Sequence, residues 1–412
     1  MDTAETIPSG SWPVDRRDGA AALLALALLV AAHFLVDLFA STVNPLWPAL
    51  ERHLAMESGG ALWVFVAWSV ATSFSQLAFG VWADRGWARW LLWAGPGVGI
   101  LCLSSLGLAG STGATAAILV CGGLGVAAFH PEAAATAGAI LPSHRSRAMA
   151  IFSLSGYLGQ AIGPYYSGAL TEHWGLAGLL WGIAWGGAAL LGLAMAWCWS
   201  PARFITPQPG SNRRETSTPH ALRRVAVLLV VSSLRVVPTI GVLLALAYVL
   251  ESQHVARSTI GGVQSAFMAG IGAGSMICAL FSSPRWEWHA LWLMPVAASP
   301  VLACLYFLEG EWLLLAVGLS GFLHGVGMPV FVSYGQQYLP AGERVASSIT
   351  LGVSWGIAGG LVAGSLSYCQ KADMLHHSFL FFAVISAISG LMCLGLPSVA
   401  GARDEKSRGK PI

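Results

Sequence analysis

Charged residues are scarce in this 412-residue chain. Asp, Glu, Lys and Arg make up 10% of it, whereas a soluble globular protein carries about 25%. The net charge of +2 is too small for a protein that binds a nucleic-acid backbone. Hydrophobic residues account for 56%, and the mean hydropathy is +0.67. This composition excludes a soluble enzyme, a disordered regulator and a nucleic-acid partner, and it indicates a protein that crosses a membrane several times.

Several enzyme motifs are also missing. The chain has no Cys-x-x-Cys pair, no His-Glu-x-x-His zinc motif and no P-loop. Its seven cysteines lie mostly in apolar runs, so we interpret them as packing residues and expect no metal site. Ser320, in a Gly-x-Ser-Gly stretch, has His324 nearby and is similar to the serine of intramembrane proteases, but those proteins supply the histidine from another span. We therefore expect a protein that is not an enzyme.

Long apolar runs recur along the whole sequence. At a rise of about 1.5 Å per residue, about 20 residues cross a hydrocarbon core about 30 Å thick. The sequence predicts an all-α membrane protein with twelve transmembrane helices, near residues 20–43, 61–82, 90–110, 114–139, 147–170, 175–199, 223–250, 260–282, 289–308, 312–338, 345–368 and 377–397.

Basic residues are unevenly divided between the two sides of these spans. With the N-terminus placed in the cytoplasm, 17 of the 21 Lys and Arg fall on the cytoplasmic side, and only Arg52, Arg257 and Lys371 fall on the other. An excess of basic residues marks cytoplasmic loops. We therefore expect a multi-pass protein of the inner (plasma) membrane with both termini in the cytoplasm and a polar N-terminal tail.

The second half of the chain repeats the first. Pro131 and Pro142 recur as Pro329 and Pro340 at an offset of 198 residues. The sequence predicts an N-terminal six-helix bundle at 1–200, a cytoplasmic linker at 201–222, and a C-terminal six-helix bundle with a short tail at 223–412. Two repeated halves with a site between them are typical of secondary transporters.

Three charged residues lie inside predicted spans: Asp37, Glu132 and Arg235. Each charge at a helix centre costs about 2.5–3.5 kcal/mol on insertion scales, so a role is expected for each. His33 precedes Asp37 by four residues and shares its helix face, where the two can exchange a proton. A structural pair is the alternative. His130 and Glu132 flank Pro131, and we expect one of them in a cavity and the other in a helix contact.

Arg235 is the repeat equivalent of Asp37 at the offset of 198 residues. The two charges could pair across a cavity, or Arg235 could hold an anionic substrate, because a guanidinium group binds carboxylates and phosphates through two hydrogen bonds. A helix-packing arginine is the alternative. Further candidates for substrate binding are Gln160, Tyr165, Tyr334, Gln337 and Trp355.

The loop after the second span contains Gly80, Asp84, Arg85 and Arg89. It resembles the G-x-x-x-D-R-x-G-R-K/R loop of the major facilitator superfamily, and this resemblance implies that the loop gates the transporter. The fifth span contains Gly159, Gly163 and Pro164, which resemble the glycine-proline signature of facilitator antiporters. Glycines here predict close helix packing, and the proline predicts a bend.

The combined pattern resembles one branch of that superfamily, the fosmidomycin-resistance proteins. The features that carry it are His33 with Asp37, the Phe-His-Pro-Glu block at 129–132, and the Tyr-Gly-Gln-Gln-Tyr-Leu-Pro stretch at 334–340. Gln337 stands where that branch has Glu. The resemblance implies proton-driven antiport that exports small drugs or metabolites by alternating access and confers antibiotic resistance, with Asp37, His33, Glu132 and His130 as the proton-coupling residues.

Other functions stay open on the sequence alone. One is a proton-coupled importer of an organic anion, and another is a transporter-fold sensor that carries nothing. We expect a small-molecule substrate, an anion among the candidates, with protons and the lipid bilayer as the other partners. No cofactor is expected beyond the proton gradient as energy source, and the family resemblance implies a monomer.

Overall fold

Helices and short turns make up the part of the chain that the computed structural model describes, which is residues 16–84, 90–140, 145–199, 219–281, 284–338 and 349–396. No strand occurs among these residues. The helices of the first half are α1 (Arg16–Ser41), α2 (Trp47–His53), α3 (Gly60–Ser73), α4 (Ser75–Asp84), α5 (Leu91–Ser104), α6 (Thr112–Ile140), α7 (Arg145–Trp174) and α8 (Trp181–Trp199).

The second half repeats this arrangement with fewer interruptions. Its helices are α9 (Pro219–Ser252), α10 (Arg257–Phe281), α11 (Pro284–Cys304), α12 (Gly310–Tyr338), α13 (Ser354–Lys371) and α14 (His377–Cys393). A π-helical turn, Ile349–Val353, leads into α13.

The expected all-α membrane fold with twelve helical spans is confirmed. Seven helical segments of the described chain are long and apolar enough to cross a membrane, and α5 and α14 are shorter apolar helices. The helices α7, α11 and α13 complete the twelve, with α3 and α4 forming one span that is interrupted at Phe74. The domain boundaries stay a prediction, because 201–218 of the linker lie outside the described residues.

Two prolines leave backbone carbonyls that another helix must satisfy. A proline has no N–H for the carbonyl four residues earlier. Pro295 thereby frees the carbonyl of Leu291, which accepts a hydrogen bond from Nη1 of Arg235 at 3.2 Å. Pro329 frees the carbonyl of Gly325, which accepts one from Ser275 Oγ at 3.0 Å. These bonds tie α9 to α11 and α10 to α12.

The two halves meet along two helix pairs, α7 with α10 and α3 with α13. Small residues allow this close contact: a side chain at Gly261 of α10 would collide with the carbonyl of Pro164 on α7. Within the first half, side chains at Gly159 and Gly163 would collide with the carbonyls of Phe34 and Leu38 on α1. The helix α7 is therefore held between α1, which carries Asp37, and the second half.

Candidate functional site

Asp37 is the centre of a buried polar cluster in the first half. Its Oδ2 lies 3.4 Å from Nε2 of His33, one turn earlier on α1, and its Oδ1 lies 3.2 Å from Nε2 of His130 on α6. Gln160 of α7 donates a hydrogen bond from Nε2 to Oδ2 at 2.8 Å. We call His33, Asp37, His130 and Gln160 the Asp37 cluster. Three helices therefore supply a carboxylate with three partners.

Backbone carbonyls hold both imidazole rings by the other nitrogen. Nδ1 of His33 lies 2.8 Å from the carbonyl oxygen of Phe152, and Nδ1 of His130 lies 2.8 Å from that of Val126. A carbonyl oxygen only accepts hydrogen bonds, so each Nδ1 carries the hydrogen. Each Nε2 is therefore the nitrogen that faces Asp37.

The two histidines differ in exposure. The side chains of His33 and Asp37 are 8% and 6% exposed, whereas that of His130 is 25% exposed. The ring of His33 stacks on Phe152 with centroids 4.0 Å apart. A side chain at Gly156 would come within 2.6 Å of Asp37 Oδ2, so this glycine leaves the room that the carboxylate occupies. His130 is thus the more exposed of the two histidines.

Tyr157 links the neighbourhood of this cluster to the second half, and the sequence analysis missed it. It follows Gly156 on α7, its Cβ packs 3.1 Å from the position that a Cβ at Gly272 of α10 would take, and its side chain interacts with Ser275. Its spacing of three residues from Gln160 is the one sequence signal that could have indicated it.

Arg235 is not a member of the Asp37 cluster, although its sequence position is equivalent to that of Asp37. Its guanidinium group is buried, donates to the carbonyl of Leu291 and lies 5.3 Å from the ring centre of Phe331. Its Nη2 has no hydrogen-bond partner among the residues that the structure describes. Neither ion pair that Asp37 forms among the described residues involves Arg235. Pairing of these two charges is therefore not seen in this conformation.

The other candidate residues are spread over several helices. Glu132 is buried on α6, Tyr334 is buried on α12, and the side chain of Tyr165 is 55% exposed. The carbonyl of Trp355 accepts a hydrogen bond from Ser69 Oγ at 3.4 Å across the contact between α3 and α13. The side chain of Gln337 lies outside the described residues.

Only part of the predicted gating loop can be located. Gly80 lies within α4, with nothing within 4 Å of the position that a Cβ would take, and Asp84 is the last residue of that helix. The side chain of Asp84 and all of Arg85 and Arg89 lie outside the described residues. The gating role of this loop stays a prediction.

At the start of α3, away from the predicted gating loop, polar contacts join the two halves. Glu51 of α2 is buried and accepts hydrogen bonds from the backbone N–H of Ala61 at 3.2 Å, from Tyr248 Oη at 3.2 Å and from Gln370 Nε2 at 2.6 Å. Next to it, Arg52 forms an ion pair with Glu251. We call this side of the bundle the Glu51 end. Tyr248, Glu251 and Gln370 belong to the second half, so the halves are closed against each other here.

A second set of contacts closes the same end between α7 and α10. Arg257 Nη1 donates to the carbonyl of Thr171 at 3.1 Å, and the N–H of Ser258 donates to Glu172 Oε2 at 3.0 Å. The hydrogen bonds from Ser258 lower the pKa of the Glu172 carboxyl, which lies beyond the predicted span 147–170. None of the residues that close this end was predicted from the sequence. For Glu51 and Glu251, the recurrence of Leu50-Glu51 as Leu250-Glu251 was a signal.

The Asp37 cluster also has a spacing that suits a small cation. His33, Asp37 and His130 offer three nitrogen and oxygen atoms that all lie within 4.8 Å of one another. The sequence analysis expects protons at these atoms and no metal ion, and that expectation stays a prediction.

The fold and this site define the chain as a multi-pass membrane protein of two similar helical halves, with a buried acid–base cluster in the first half. The family model described as Major Facilitator Superfamily matches residues 29–364. The chain therefore belongs to the Major Facilitator Superfamily, as the sequence analysis predicted. It is accordingly a membrane transporter for a small molecule, and the family consists of transporters rather than enzymes.

Known relatives and a solved structure agree with this membership. The chain is 22% identical to the fosmidomycin resistance protein of Escherichia coli (strain K12) over 379 residues, which cover 90% of this chain and 92% of that one. It is 30% identical to the multidrug resistance protein Stp of Mycobacterium tuberculosis (strain CDC 1551 / Oshkosh) over 158 residues, 37% of this chain and 29% of that one. The crystal structure of a mutant of the nucleoside transporter NupG superposes with a TM-score of 0.71 at 13% identity, covering 90% of this chain and 99% of that one, and it supports the fold alone.

Proposed function

We propose that this protein is a secondary active transporter of the bacterial inner membrane that exports a small drug or metabolite in exchange for protons. The observation that carries the proposal is the buried carboxylate of Asp37, which faces a nitrogen of His33 and a nitrogen of His130. Drug-resistance proteins among the relatives support export as the direction.

A buried acid–base cluster can couple proton binding to a change of shape. An ionised carboxylate away from water needs charged or polar partners, whereas a protonated one does not. Asp37 has partners on α1, α6 and α7, and α7 packs against α10 of the second half. Gain or loss of protons at Asp37 would therefore change what holds α7 in place, and with it the contact between the halves.

Closure at the Glu51 end supports alternating access. The distribution of basic residues assigns this end to the outside of the cell, so the closed end would face away from the cytoplasm. In the proposed cycle, the contacts of Glu51, Arg52 and Glu251 break when the halves rock to open the outer side, and the loop of Gly80, Asp84, Arg85 and Arg89 closes the inner side. Substrate would bind between the halves, near Gln160, Tyr165, Tyr334, Gln337 and Trp355.

The proton gradient is sufficient as an energy source, and we propose no cofactor. One proton that crosses about 100 mV releases about 2.3 kcal/mol, which supports about a 40-fold gradient of an uncharged substrate. We propose that one chain is the functional unit, because the substrate path lies between the two halves of a single chain.

The test is transport by purified protein in liposomes that contain a pH-sensitive dye. Fosmidomycin, a panel of small organic anions and a panel of amphiphilic cations serve as probes. We expect a probe gradient to move protons in the opposite direction, and Asp37→Asn to abolish that movement. Asp373→Asn is the matched control, because Asp373 is exposed in a turn with φ of 55°, a conformation that Asn tolerates. Normal proton movement in the Asp37→Asn protein would contradict the proposal.

A second candidate is an importer that carries an organic anion together with protons. The observation in its favour is the buried guanidinium group of Arg235, whose Nη2 has no hydrogen-bond partner in the described part of the chain. The same liposomes distinguish the two functions, since symport moves protons in the direction of the anion and antiport moves them against it.

A further inference from the structure

Both histidines of the Asp37 cluster are fixed in one tautomer. The carbonyl of Phe152 holds Nδ1–H of His33, and that of Val126 holds Nδ1–H of His130. In a neutral ring of this tautomer, Nε2 carries a lone pair. That lone pair would face the oxygens of Asp37, at 3.4 Å for His33 and 3.2 Å for His130.

Two electron pairs facing each other at such a distance repel, so each contact needs a proton between its two atoms. A protonated Asp37 has only one hydrogen and can satisfy only one of the contacts. The second contact then still requires a protonated imidazole. Both contacts are therefore satisfied only when the cluster holds two protons in addition to the two on Nδ1.

We propose that the Asp37 cluster holds two exchangeable protons, that His130 is the group through which they enter, and that His33 is the group that stores the second one. The order follows from exposure, because His130 is 25% exposed and His33 is 8% exposed. Asp37 lies between the two rings: Oδ1 takes the proton from His130, and a half-turn of the carboxyl group about Cβ–Cγ then brings the protonated oxygen to His33. This inference rests on the proposed proton coupling and adds the number of protons and their route.

The charge of the cluster changes sign over this cycle. Two imidazolium rings and a carboxylate carry a net charge of +1, loss of one proton gives zero, and loss of both gives −1. The other titratable groups near the cluster are Tyr157 on α7 and, next to Tyr157, Cys278 on α10, and Glu132 is buried two residues after His130 on α6. None of these is a cation, so among the described residues named here no fixed cation stabilises the −1 state of the cluster.

His324 provides an internal comparison. Its Nδ1 lies 2.8 Å from the carbonyl oxygen of Ser320, which fixes the same tautomer, but its Nε2 lies 3.3 Å from the hydroxyl oxygen of Ser386 rather than from a carboxylate. The hydroxyl hydrogen of Ser386 goes to the carbonyl of Pro295 at 2.8 Å, and a neutral hydroxyl oxygen stabilises an added proton on Nε2 far less than a carboxylate does. His324 therefore has the same restraint as His33 and His130 without their carboxylate.

Nitrogen NMR of the histidine rings tests the proposal directly. The full-length protein is labelled with ¹⁵N-histidine, placed in lipid nanodiscs and titrated with acid and base, and His33→Gln, His130→Gln and His324→Gln assign the three rings by difference. We expect the wild type to lose two Nε2 protons, one from His33 and one from His130, while both rings keep Nδ1–H throughout. His324 keeps its single proton over the same titration.

The variants sharpen this result. In Asp37→Asn, we expect both rings to lose the Nε2 proton at lower pH than in the wild type, because the carboxylate that stabilises an imidazolium is gone. In His130→Gln, we expect one titrating ring, that of His33, with slower proton exchange, because the entrance no longer carries protons. A single proton lost by the wild-type cluster, or a ring with its hydrogen on Nε2 and a bare Nδ1, would overturn the proposal.

Failure of this proposal is distinguishable from failure of the proposed function. Ring titration needs no substrate, and the liposome measurement needs no proton count. Coupled proton movement in liposomes together with a one-proton titration would overturn the two-proton cluster alone. Two titrating rings in a protein whose transport moves no protons would overturn the proton coupling while leaving the proton count intact.

Discussion

The centre of the molecule and the Glu51 end treat the internal repeat in opposite ways. At the end, Glu51 and Glu251, which recur in the same Leu-Glu pair at an offset of 200 residues, both bind the other half. Glu51 does so through Tyr248 and Gln370, and Glu251 through Arg52. At the centre, the equivalent positions carry Asp37, within a polar cluster, and Arg235, among sulfur and aromatic side chains. The two halves therefore carry the same acidic residue where they close against each other and residues of opposite charge in their interiors.

This difference indicates a division of labour between the regions. When two similar halves close against each other, both must supply contacts, so similar residues can form these contacts in each half. A proton site needs only one location, and one half can supply it. Arg235 instead donates to the carbonyl that Pro295 leaves free, so its position contributes to the packing of α9 against α11.

The same substitution at the two central positions gives the largest expected contrast. Asp37→Leu removes the acceptor that His33, His130 and Gln160 share. We expect it to abolish proton-driven accumulation in liposomes, a loss of about 40-fold per proton at about 100 mV for an uncharged probe. Equal losses of transport in Asp37→Leu and Arg235→Leu would show that the two halves share the proton chemistry.

Arg235→Leu is expected to act mainly on stability. The carbonyl of Leu291 loses its donor, which costs about 1–3 kcal/mol, while the desolvation of a buried guanidinium group with an unpaired Nη2 is no longer required. We expect a lower unfolding temperature in detergent, similar small losses of transport for anionic and neutral probes, and recovery in Arg235→Gln, which keeps a donor. A loss confined to anionic probes would instead assign Arg235 to the substrate.

Sequence reasoning found one side of this comparison and not the other. The spacing of His33 and Asp37 and the Phe-His-Pro-Glu block indicated residues that the structure brings together. The partner Gln160 was a candidate for a different role, because local spacing does not tell which helix lies next to α7. The direction of Arg235 depends on a carbonyl freed 56 residues later in the chain, and no local pattern reveals that contact.

Fold-level features were easier to predict than contacts between the halves. The lengths of the apolar runs and the repeat of Pro131 as Pro329 predicted the twelve helices. The positions of helices depend on local hydrophobicity and backbone chemistry, which the sequence contains. The closing residues Tyr248 and Gln370 are separated from Glu51 by 197 and 319 residues. Such contacts depend on how the halves dock in one conformation of the transporter.

At the Glu51 end, both glutamate side chains are nearly buried, but their partners differ in exposure, and this difference gives an intermediate effect. Glu51→Gln weakens three hydrogen bonds to a buried carboxylate, each worth about 1.5–3 kcal/mol. Glu251→Gln breaks a pair with Arg52, whose side chain is 57% exposed, and such pairs contribute about 0–1 kcal/mol. We expect opening of this end to increase at least 10-fold in Glu51→Gln and less than 6-fold in Glu251→Gln, on the basis of about 1.4 kcal/mol per tenfold change.

Labelling of a single cysteine measures this opening. Ser367 is buried opposite Gly59 at the contact between α3 and α13, and Ser367→Cys in a background without the native cysteines places a thiol of similar size there. The rate of its reaction with a membrane-impermeant maleimide reports how often the end opens. Equal rates in the two Gln variants would show that the buried partners of Glu51 add no more to closure than the exposed Arg52 does.

The smallest effect is expected at Glu172, which is exposed and closes the same end. Hydrogen bonds from Ser258 lower the pKa of its carboxyl from the ordinary value of 4.5. A group whose pKa is lowered by a contact stabilises that contact above its ordinary pKa and loses this contribution as the pH falls through the lowered value. The Glu172 contact should therefore be constant at neutral pH and weaken only below pH 4.5.

We expect Glu172→Gln to leave the labelling of Ser367→Cys nearly unchanged at neutral pH and to remove an acid-induced increase. An increase at neutral pH that Glu172→Gln removes would place a proton switch at the closing end as well, and the proton chemistry would then no longer be confined to the centre of the first half.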